Sequence, residues 1–273
     1  MASDSIRTVV APSRREVDQP SLLARALEPA TRALFMEAGV RAGMRVLDVS
    51  SGVGDVAFVA REIVGPQGSV TGFDSSAASV SYANDWAAFR GLANVRFIEG
   101  QIDTLSFESA FDVIVGRVVL MYSLDPVRDL RALVRHLKPG GFVIFQEFDL
   151  LAGKTVPSAP VIDQVREWLL EGFAQAGIEL EMGPKLYSTF TEAGLMPPEM
   201  RVDGFIGGEE SVVPQLVADA ARMLMPQLEA LGITTEGEVQ TDTLEKRMRA
   251  DLARTGGVMS GPPLIGAWAR LAN

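Results

Sequence analysis

The chain of 273 residues contains no cysteine and a single histidine, His136. The lack of cysteine excludes disulfides, thiolate-bound metals, iron–sulfur clusters and cysteine nucleophiles. One imidazole leaves little room for a zinc site, so we expect no metal. No stretch approaches about 18 uninterrupted apolar residues, and residues 1–20 contain no apolar segment typical of a secretory leader. We therefore expect a cytoplasmic protein with no membrane partner.

Positive charge is also scarce. The 25 Lys and Arg residues are outnumbered by 35 Asp and Glu, which gives a net charge of −10. A surface that acidic repels phosphate backbones, so no nucleic acid partner is expected. Hydrophobic residues make up 47% of the chain, which is enough to bury a large core and excludes disorder. A homodimer remains open.

Short apolar segments alternate with helical segments from about Met44 to Asp149. MRVLDV, SVTGFD, NVRFIEG and FDVIVGR are typical of buried strands, and a further strand is predicted to begin at Phe142. The helix before Phe142 is predicted to include His136 and to end at the Pro-Gly-Gly of residues 139–141. This alternation predicts an α/β fold: a doubly wound, mostly parallel Rossmann-like sheet with helices on both faces.

After Asp149 the sequence becomes mostly helical. One core with a helical insertion late in the chain is the simplest organisation. We expect an N-terminal arm and helical segment over 1–40, a ligand-binding core over 41–208 with its motifs at 44–149, a helical insertion over 209–257 and a final strand of the core over 258–273.

The first strand, turn and helix contain the most informative residues. Asp48 closes the strand, and Gly52 and Gly54 allow a tight turn and the close approach of a ligand. The helix that follows presents free backbone N–H groups at the carboxyl edge of the sheet, where open α/β sheets bind ligands. Asp74 ends the next strand, 26 residues after Asp48. A carboxylate at that position can accept hydrogen bonds from both hydroxyls of a ribose.

These segments resemble the class I S-adenosylmethionine-dependent methyltransferases. The resemblance covers Met44–Asp149, with VLDVSSGVGD, GFD, VRFIEGQIDTLSF, FDVIVGRVVLMYSLDP and LKPGGFVIFQE in the family's order. It implies S-adenosylmethionine as cofactor, S-adenosylhomocysteine as product and the small-molecule type of methyltransferase. The implied cofactor-binding residues are Asp48, Ser50, Gly52 and Gly54 in and before the turn, Asp74 and Ser75 at the ribose, Gln101 and Ile102 at the adenine, and Arg117 near the methionine portion.

Two residues depart from the family's pattern. Ser50 replaces the first glycine of Asp-x-Gly-x-Gly-x-Gly, which costs about 1–2 kcal/mol if the position needs a positive φ and nothing if it is extended. Gln101 stands where the family often has an acid, and its amide oxygen can accept the adenine amino group without charge assistance. A nicotinamide site is disfavoured, because Asp55 follows the Gly-x-Gly turn and would place a negative charge at a pyrophosphate.

Several residues are candidates for contact with the acceptor. Glu147 and Asp149, at the end of the fifth strand, are the acids best placed to take a proton, although helix caps or loop charges would look the same. Tyr122 either faces the acceptor or is a core tyrosine, and Arg117 either orients an anionic acceptor or forms a salt bridge. The Asn/Asp-Pro-Pro-aromatic motif of DNA-amino methyltransferases is absent, since Gly116-Arg117-Val118-Val119 stands there.

We therefore expect an enzyme that transfers a methyl group by in-line displacement to a small-molecule acceptor, in specialised metabolism. The helical insertion over 209–257 is expected to cover the acceptor pocket as a lid. A second interpretation remains open: a protein of the same fold that binds the cofactor but catalyses a non-methylating reaction, or acts by binding alone.

Overall fold

The computed structural model describes residues 21–107 and 110–271. These residues form ten strands: β1 Arg45–Val49, β2 Ser69–Asp74, β3 Val95–Glu99, β4 Phe111–Arg117, β5 Leu137–Phe148, β6 Lys154–Val156, β7 Glu199–Asp203, β8 Ile206–Gly207, β9 Val258–Ser260 and β10 Leu264–Arg270. They also form nine α-helices: α1 Leu22–Glu37, α2 Asp55–Val64, α3 Ala77–Phe89, α4 Pro126–Val134, α5 Pro160–Gln175, α6 Met182–Glu192, α7 Val213–Ala230, α8 Glu236–Val239 and α9 Thr241–Thr255.

The chain divides into two compact units. The larger one contains the described residues up to Glu147 together with Gly183–Arg201 and 265–271, and the smaller one contains Phe148–Met182 and Val202–Leu264. This division differs from the predicted boundaries, because α5 groups with α7 and α9 rather than with the core. Contacts between helices so distant in sequence leave no signal in local periodicity.

A seven-stranded sheet forms the centre of the larger unit, in the order β3-β2-β1-β4-β5-β10-β7. The first five strands in this order, β3, β2, β1, β4 and β5, pair in parallel with their neighbours. Asp48 in β1 lies beside Gly72 in β2 and Val115 in β4, so the ends of these strands meet at one edge. The predicted mostly parallel sheet is confirmed, and this carboxyl edge is where its ligand site is expected.

Alternate residues of the strands face opposite layers of helices. Val46, Val70 and Val113 belong to a buried cluster that includes Leu34 of α1, and side chains of α2 and α3 complete that cluster. On the other face, the ring of Phe145 lies 6.3 Å from that of Phe190 in α6. Helices therefore cover both faces of the sheet, as the alternation predicts.

The helix before β5 is shorter than predicted. It ends at Val134, and the His136 carbonyl accepts a hydrogen bond of 2.8 Å from the Phe111 N–H. Leu137 then pairs with Phe111, so β5 begins there and not at Phe142. Pairing with β4 takes this segment away from the helix, and the predicted placement of His136 inside the helix is wrong.

The smaller unit combines a three-stranded sheet with helices. Its strands pair in the order β6-β9-β8, both pairs antiparallel. Helices α5, α7 and α9 pack against one another, and the Val161 N–H of α5 donates to the Asp251 carboxylate of α9 at 2.9 Å. Among the residues that the structure describes, no helix is both long and apolar enough to span a membrane.

We expect Gly116→Ala to destabilise the larger unit. A Cβ at this position would lie 2.4 Å from the Phe145 ring, which is fully buried and packs against the Phe190 ring. Overpacking of this kind costs about 1–3 kcal/mol, which urea denaturation would measure as a lower free energy of unfolding.

Gly237→Ala is the matched control for this substitution. Its Cβ would meet nothing nearer than 3.8 Å, and alanine favours the helix in which Gly237 lies, so stability should be unchanged or higher. Equal effects of the two substitutions would contradict the packing argument.

Candidate functional site

The turn between β1 and α2 is closed by short backbone hydrogen bonds. The Ser51 N–H donates to the Phe73 carbonyl at 2.8 Å, and the Gly54 N–H donates to the Ser51 carbonyl at 2.8 Å. Gly52 and Gly54 have φ values of +52° and +96°, a region that favours glycine. A Cβ on Gly54 would lie 2.6 Å from the Phe97 ring. The turn therefore requires glycine at position 54 for both conformation and space.

Ser50 adopts the left-handed conformation, with φ of +51°. The sequence left open whether this position needs a positive φ, and the structure shows that it does. Serine therefore adopts a conformation that costs L-residues about 1–2 kcal/mol. The side chain is exposed, at the end of the strand that supplies Asp48.

Asp74 links the turn to the next helix. One carboxylate oxygen accepts the Gly52 N–H at 2.9 Å, and the other accepts the Ser76 N–H at 2.8 Å. Ser76 is the N-cap of α3, since its hydroxyl accepts the Ser79 N–H, whereas Ser75 is exposed and precedes the cap. Each Asp74 oxygen keeps further acceptor capacity, which is what two ribose hydroxyls would need.

The two residues expected at an adenine follow β3. The Gly100 N–H donates to the Asp74 carbonyl at 3.0 Å, which fixes the backbone just before Gln101. The Gln101 side chain is exposed, and the backbone carbonyl of Gln101 accepts the Thr104 N–H at 3.0 Å. Ile102 is half-buried and lines an open cavity of about 360 Å³ together with side chains of α4.

Arg117 provides positive charge at the same sheet edge. Burial raises the pKa of Asp48 to about 8, and the attraction of Arg117 and a hydrogen bond from the Ala57 N–H oppose that shift. Burial also raises the pKa of Asp55, again opposed by Arg117. Burial lowers the pKa of Arg117, and the charges of Asp55 and Asp48 oppose that shift. The guanidinium thus opposes the effect of burial on the pKa of two carboxyl groups, those of buried Asp48 and half-buried Asp55.

A polar network that the sequence analysis did not identify holds Arg117. Its Nη1 donates to the Thr31 hydroxyl at 3.1 Å, and that hydroxyl donates to the Gln146 amide oxygen at 2.7 Å. Gln146 interrupts the apolar sequence of β5, and a polar residue in such a strand was the sequence signal that could have indicated this network. Three buried polar atoms of the larger unit have no hydrogen-bond partner among the described residues: Asp48 Oδ2, Ser51 Oγ and Gln146 Nε2.

Unpaired buried polar atoms are costly, and they are satisfied when a polar ligand supplies partners. Asp48 Oδ2 and Ser51 Oγ flank the glycine turn in sequence, so a ligand bearing an ammonium group and hydroxyls fits the chemistry of this edge. Among residues 21–107 and 110–271, no three acidic or histidine side chains are grouped to hold a metal ion.

The two predicted catalytic candidates lie in environments that limit their chemistry. The Glu147 carboxylate is fully buried and accepts the N–H groups of Val119, Leu120 and Met121. Burial raises the pKa of Glu147 to about 7, although these three bonds oppose the shift. Burial, and then the charge of Glu147, raise the pKa of the Tyr122 phenol. Tyr122 therefore stays protonated at neutral pH and is suited to donating a hydrogen bond.

Asp149, the other acid considered as a proton acceptor, belongs to the smaller unit. Its N–H donates to the Pro263 carbonyl at 3.0 Å. Its Oδ1 is buried and has no hydrogen-bond partner among the described residues. The carboxylate therefore keeps a free acceptor, unlike that of Glu147.

Comparison with known proteins gives consistent matches. A family model described as a methyltransferase domain matches residues 41–194, more than half of the chain. A ubiquinone/menaquinone biosynthesis C-methyltransferase from Idiomarina loihiensis is 38% identical over 112 residues, which are 40% of this chain and 45% of that protein. An arsenite methyltransferase from Aquipseudomonas alcaligenes is 41% identical over 113 residues, 38% of this chain and 33% of that protein.

The match thus spans less than half the length of these curated relatives. Among solved structures, the [4+2]-cyclase SpnF superposes with a TM-score of 0.53 at 23% identity, covering 90% of this chain and 81% of that one. That likeness concerns the fold alone.

We expect Ser50→Gly to raise the free energy of unfolding by about 1 kcal/mol, because glycine adopts the left-handed conformation without a steric cost. Urea denaturation would measure the change. Ser81→Gly, at an exposed position inside α3, is the matched control and should lower stability by about 0.5 kcal/mol. A decrease in both variants would show that Ser50 is not strained.

Asp48 makes stability depend on pH. Its pKa is about 8 in the folded protein, against about 4 in an unfolded chain, so the folded state binds a proton that the unfolded state releases. Stability contributed by this group is therefore complete below about pH 4 and is lost as the pH rises towards 8. Glu147 acts in the same direction.

We expect Asp48→Asn to lose less stability than the wild type between about pH 6 and about pH 8.5, because asparagine does not titrate. Urea denaturation at several pH values would measure both slopes. Asp85→Asn, at an exposed position in α3, should keep the wild-type slope. A wild-type slope in Asp48→Asn would contradict the raised pKa.

Proposed function

The chain belongs to the methyltransferase domain family, and from that premise we propose that it transfers a methyl group from S-adenosylmethionine to a small-molecule acceptor. The observation that supports this most is the carboxyl edge of the sheet, where the glycine turn and Arg117 lie with an Asp74 carboxylate that links the turn to α3. Methyl transfer would release S-adenosylhomocysteine.

The residues at this edge fit S-adenosylmethionine by their chemistry. The backbone at Gly52 and Gly54 would face its amino acid portion, and the acceptor lone pairs of Asp74 would receive the ribose hydroxyls. Arg117 would attract the carboxylate of the methionine portion. The amide oxygen of Gln101 would accept the adenine amino group.

The unpartnered Asp48 Oδ2 also supports this assignment. A carboxyl group whose ionisation is disfavoured by burial is stabilised in its charged form by a nearby ammonium or sulfonium. A dinucleotide would instead place its pyrophosphate against Asp48 and Asp55. The charge at this edge therefore favours a cationic ligand.

When bound, S-adenosylmethionine supplies a methyl group already activated by its sulfonium. The residues of this chain then need to orient the acceptor in line with that methyl group and exclude water, and such positioning can supply about 7–11 kcal/mol. Glu147 is fully buried and engaged by three backbone N–H groups, and Tyr122 stays protonated. We therefore propose an acceptor whose nucleophilic atom needs no proton removed by either residue.

The similarity to a ubiquinone/menaquinone biosynthesis C-methyltransferase and to an arsenite methyltransferase supports a small-molecule acceptor. A role in specialised metabolism, a cytoplasmic location, a homodimer and the lack of nucleic acid partners stay predictions from the sequence. The helical segment 209–257 stays our predicted cover for the acceptor.

A non-methylating reaction on the same fold is the second candidate. Ser50 in place of glycine and the full engagement of Glu147 favour it over a standard member with a free base. The likeness to a structure described as a [4+2]-cyclase concerns the fold only. Acceptor screening read by S-adenosylhomocysteine release separates the candidates, because the second predicts cofactor binding without release.

Calorimetric titration with S-adenosylmethionine, with NAD as the comparison ligand, tests the cofactor. We expect binding of the first alone. Asp74→Asn should weaken that binding by about 10- to 100-fold, because it removes a charged acceptor of hydrogen bonds.

Asp85→Asn, the exposed acid in α3, should bind S-adenosylmethionine like the wild type. Preference for NAD, or wild-type affinity in Asp74→Asn, would contradict the proposed cofactor site.

A further inference from the structure

The backbone just after β4 adopts an unfavourable conformation. Val118 has a φ of +59°, and for a β-branched residue the left-handed region is a genuine outlier. The Val118 N–H donates to the Gln146 carbonyl at 2.7 Å, which ties the residue to β5. One backbone bond does not account for the conformation, so other contacts must hold the segment that follows.

The Glu147 carboxylate makes those contacts. One oxygen accepts the N–H groups of Val119 at 2.9 Å and Leu120 at 2.7 Å, and the other accepts the Met121 N–H at 3.4 Å. The side chain is 0% exposed. A buried carboxylate persists only with such partners, and charge-assisted bonds of this kind are stronger than neutral ones. Three consecutive N–H groups are thus fixed by one side chain.

Glu147 and its neighbour Gln146 act on opposite faces of the sheet, because successive strand residues alternate. On one face, Gln146 holds the Thr31 hydroxyl, which accepts a hydrogen bond from Arg117. On the other face, Glu147 holds the backbone from Val119 onward. Two adjacent residues of β5 therefore fix both the side chain of Arg117 and the turn that begins one residue later.

We propose that Glu147 is a positioning residue: its carboxylate holds the left-handed turn at Val118 and thereby fixes the Arg117 end of β4 at the cofactor site. This role replaces that of proton acceptor, which the sequence suggested for Glu147, since its side chain is fully buried and already accepts three backbone N–H groups. The inference rests on the proposed function, because the site that the turn shapes is the S-adenosylmethionine site.

Glu147→Gln tests the inference, with titration of S-adenosylhomocysteine as the readout. The glutamine amide keeps one acceptor oxygen, but its NH₂ group would face backbone N–H donors. At least one of the hydrogen bonds that stabilise the turn is therefore lost. We expect affinity to fall by about 10- to 100-fold, the scale of effect that a misplacement of about 1 Å produces at a site. Glu171→Gln, at an exposed position in α5, should bind S-adenosylhomocysteine like the wild type.

Adding Val118→Gly to Glu147→Gln provides a rescue test. Glycine adopts the left-handed conformation without help, so the double variant should recover at least tenfold of the lost affinity, about 1.4 kcal/mol. A role of Glu147 in general stability alone predicts instead that folded Glu147→Gln binds S-adenosylhomocysteine with wild-type affinity, because the site of the folded molecule would then be unchanged. No recovery in the double variant would overturn the inference.

Amide hydrogen exchange in the wild type keeps the inference testable if Glu147→Gln does not fold. The Val119, Leu120 and Met121 amides should exchange slowly and should slow further with S-adenosylhomocysteine. Fast exchange, insensitive to the ligand, would overturn the inference. If Glu147→Gln binds S-adenosylhomocysteine with wild-type affinity, only the inference about Glu147 is overturned. If the wild-type protein does not bind S-adenosylhomocysteine, both the proposed function and the inference are overturned.

Discussion

Burial of carboxyl groups at one edge of the sheet is the constraint on which the site depends. Asp48 is buried and Asp55 is half-buried where β1 gives way to α2, and burial disfavours the charged form of each. Arg117, on the neighbouring strand, provides the opposing charge, and Thr31 and Gln146 keep its guanidinium in place. A charged ligand bound at this edge would therefore change the electrostatic environment of Asp48, Asp55 and Arg117.

Backbone strain is concentrated at the same edge. Ser50 and Val118 directly follow the adjacent strands β1 and β4, and both take left-handed conformations without being glycine. Their surroundings differ, because Ser50 is exposed whereas the residues after Val118 are held by a buried carboxylate. Strain persists where neighbouring structure over-determines it, and such places cluster at functional sites. The contrast indicates that the backbone after β4 is fixed by more contacts than the backbone after β1.

The succession of strands and helices over Met44–Asp149, the glycine turn and the position of Asp74 at a strand end could be predicted because each depends on residues close in sequence. Short apolar segments, a Gly-x-Gly turn and a strand-end acid leave local patterns. The hydrogen-bond partners of Glu147 and Arg117 could not be predicted, because these bonds join residues far apart in sequence. Glu147 of β5 bonds to the turn after β4, and Arg117 of β4 bonds to α1. Gln146 in an apolar strand was a usable sign of such a network, but nothing in the sequence marks Thr31 as its partner.

The path of the chain has a consequence for the order of folding. Between residues 147 and 265 the chain passes from one unit to the other four times, and β10 lies inside the large sheet between β5 and β7. This interior strand therefore leaves the ribosome after both of its neighbours. Until it arrives, β5 and β7 each expose an unpaired edge, the kind of surface that invites aggregation. Removal of Leu264–Arg270 would leave the same two edges open permanently, so β10 decides whether the sheet is ever complete.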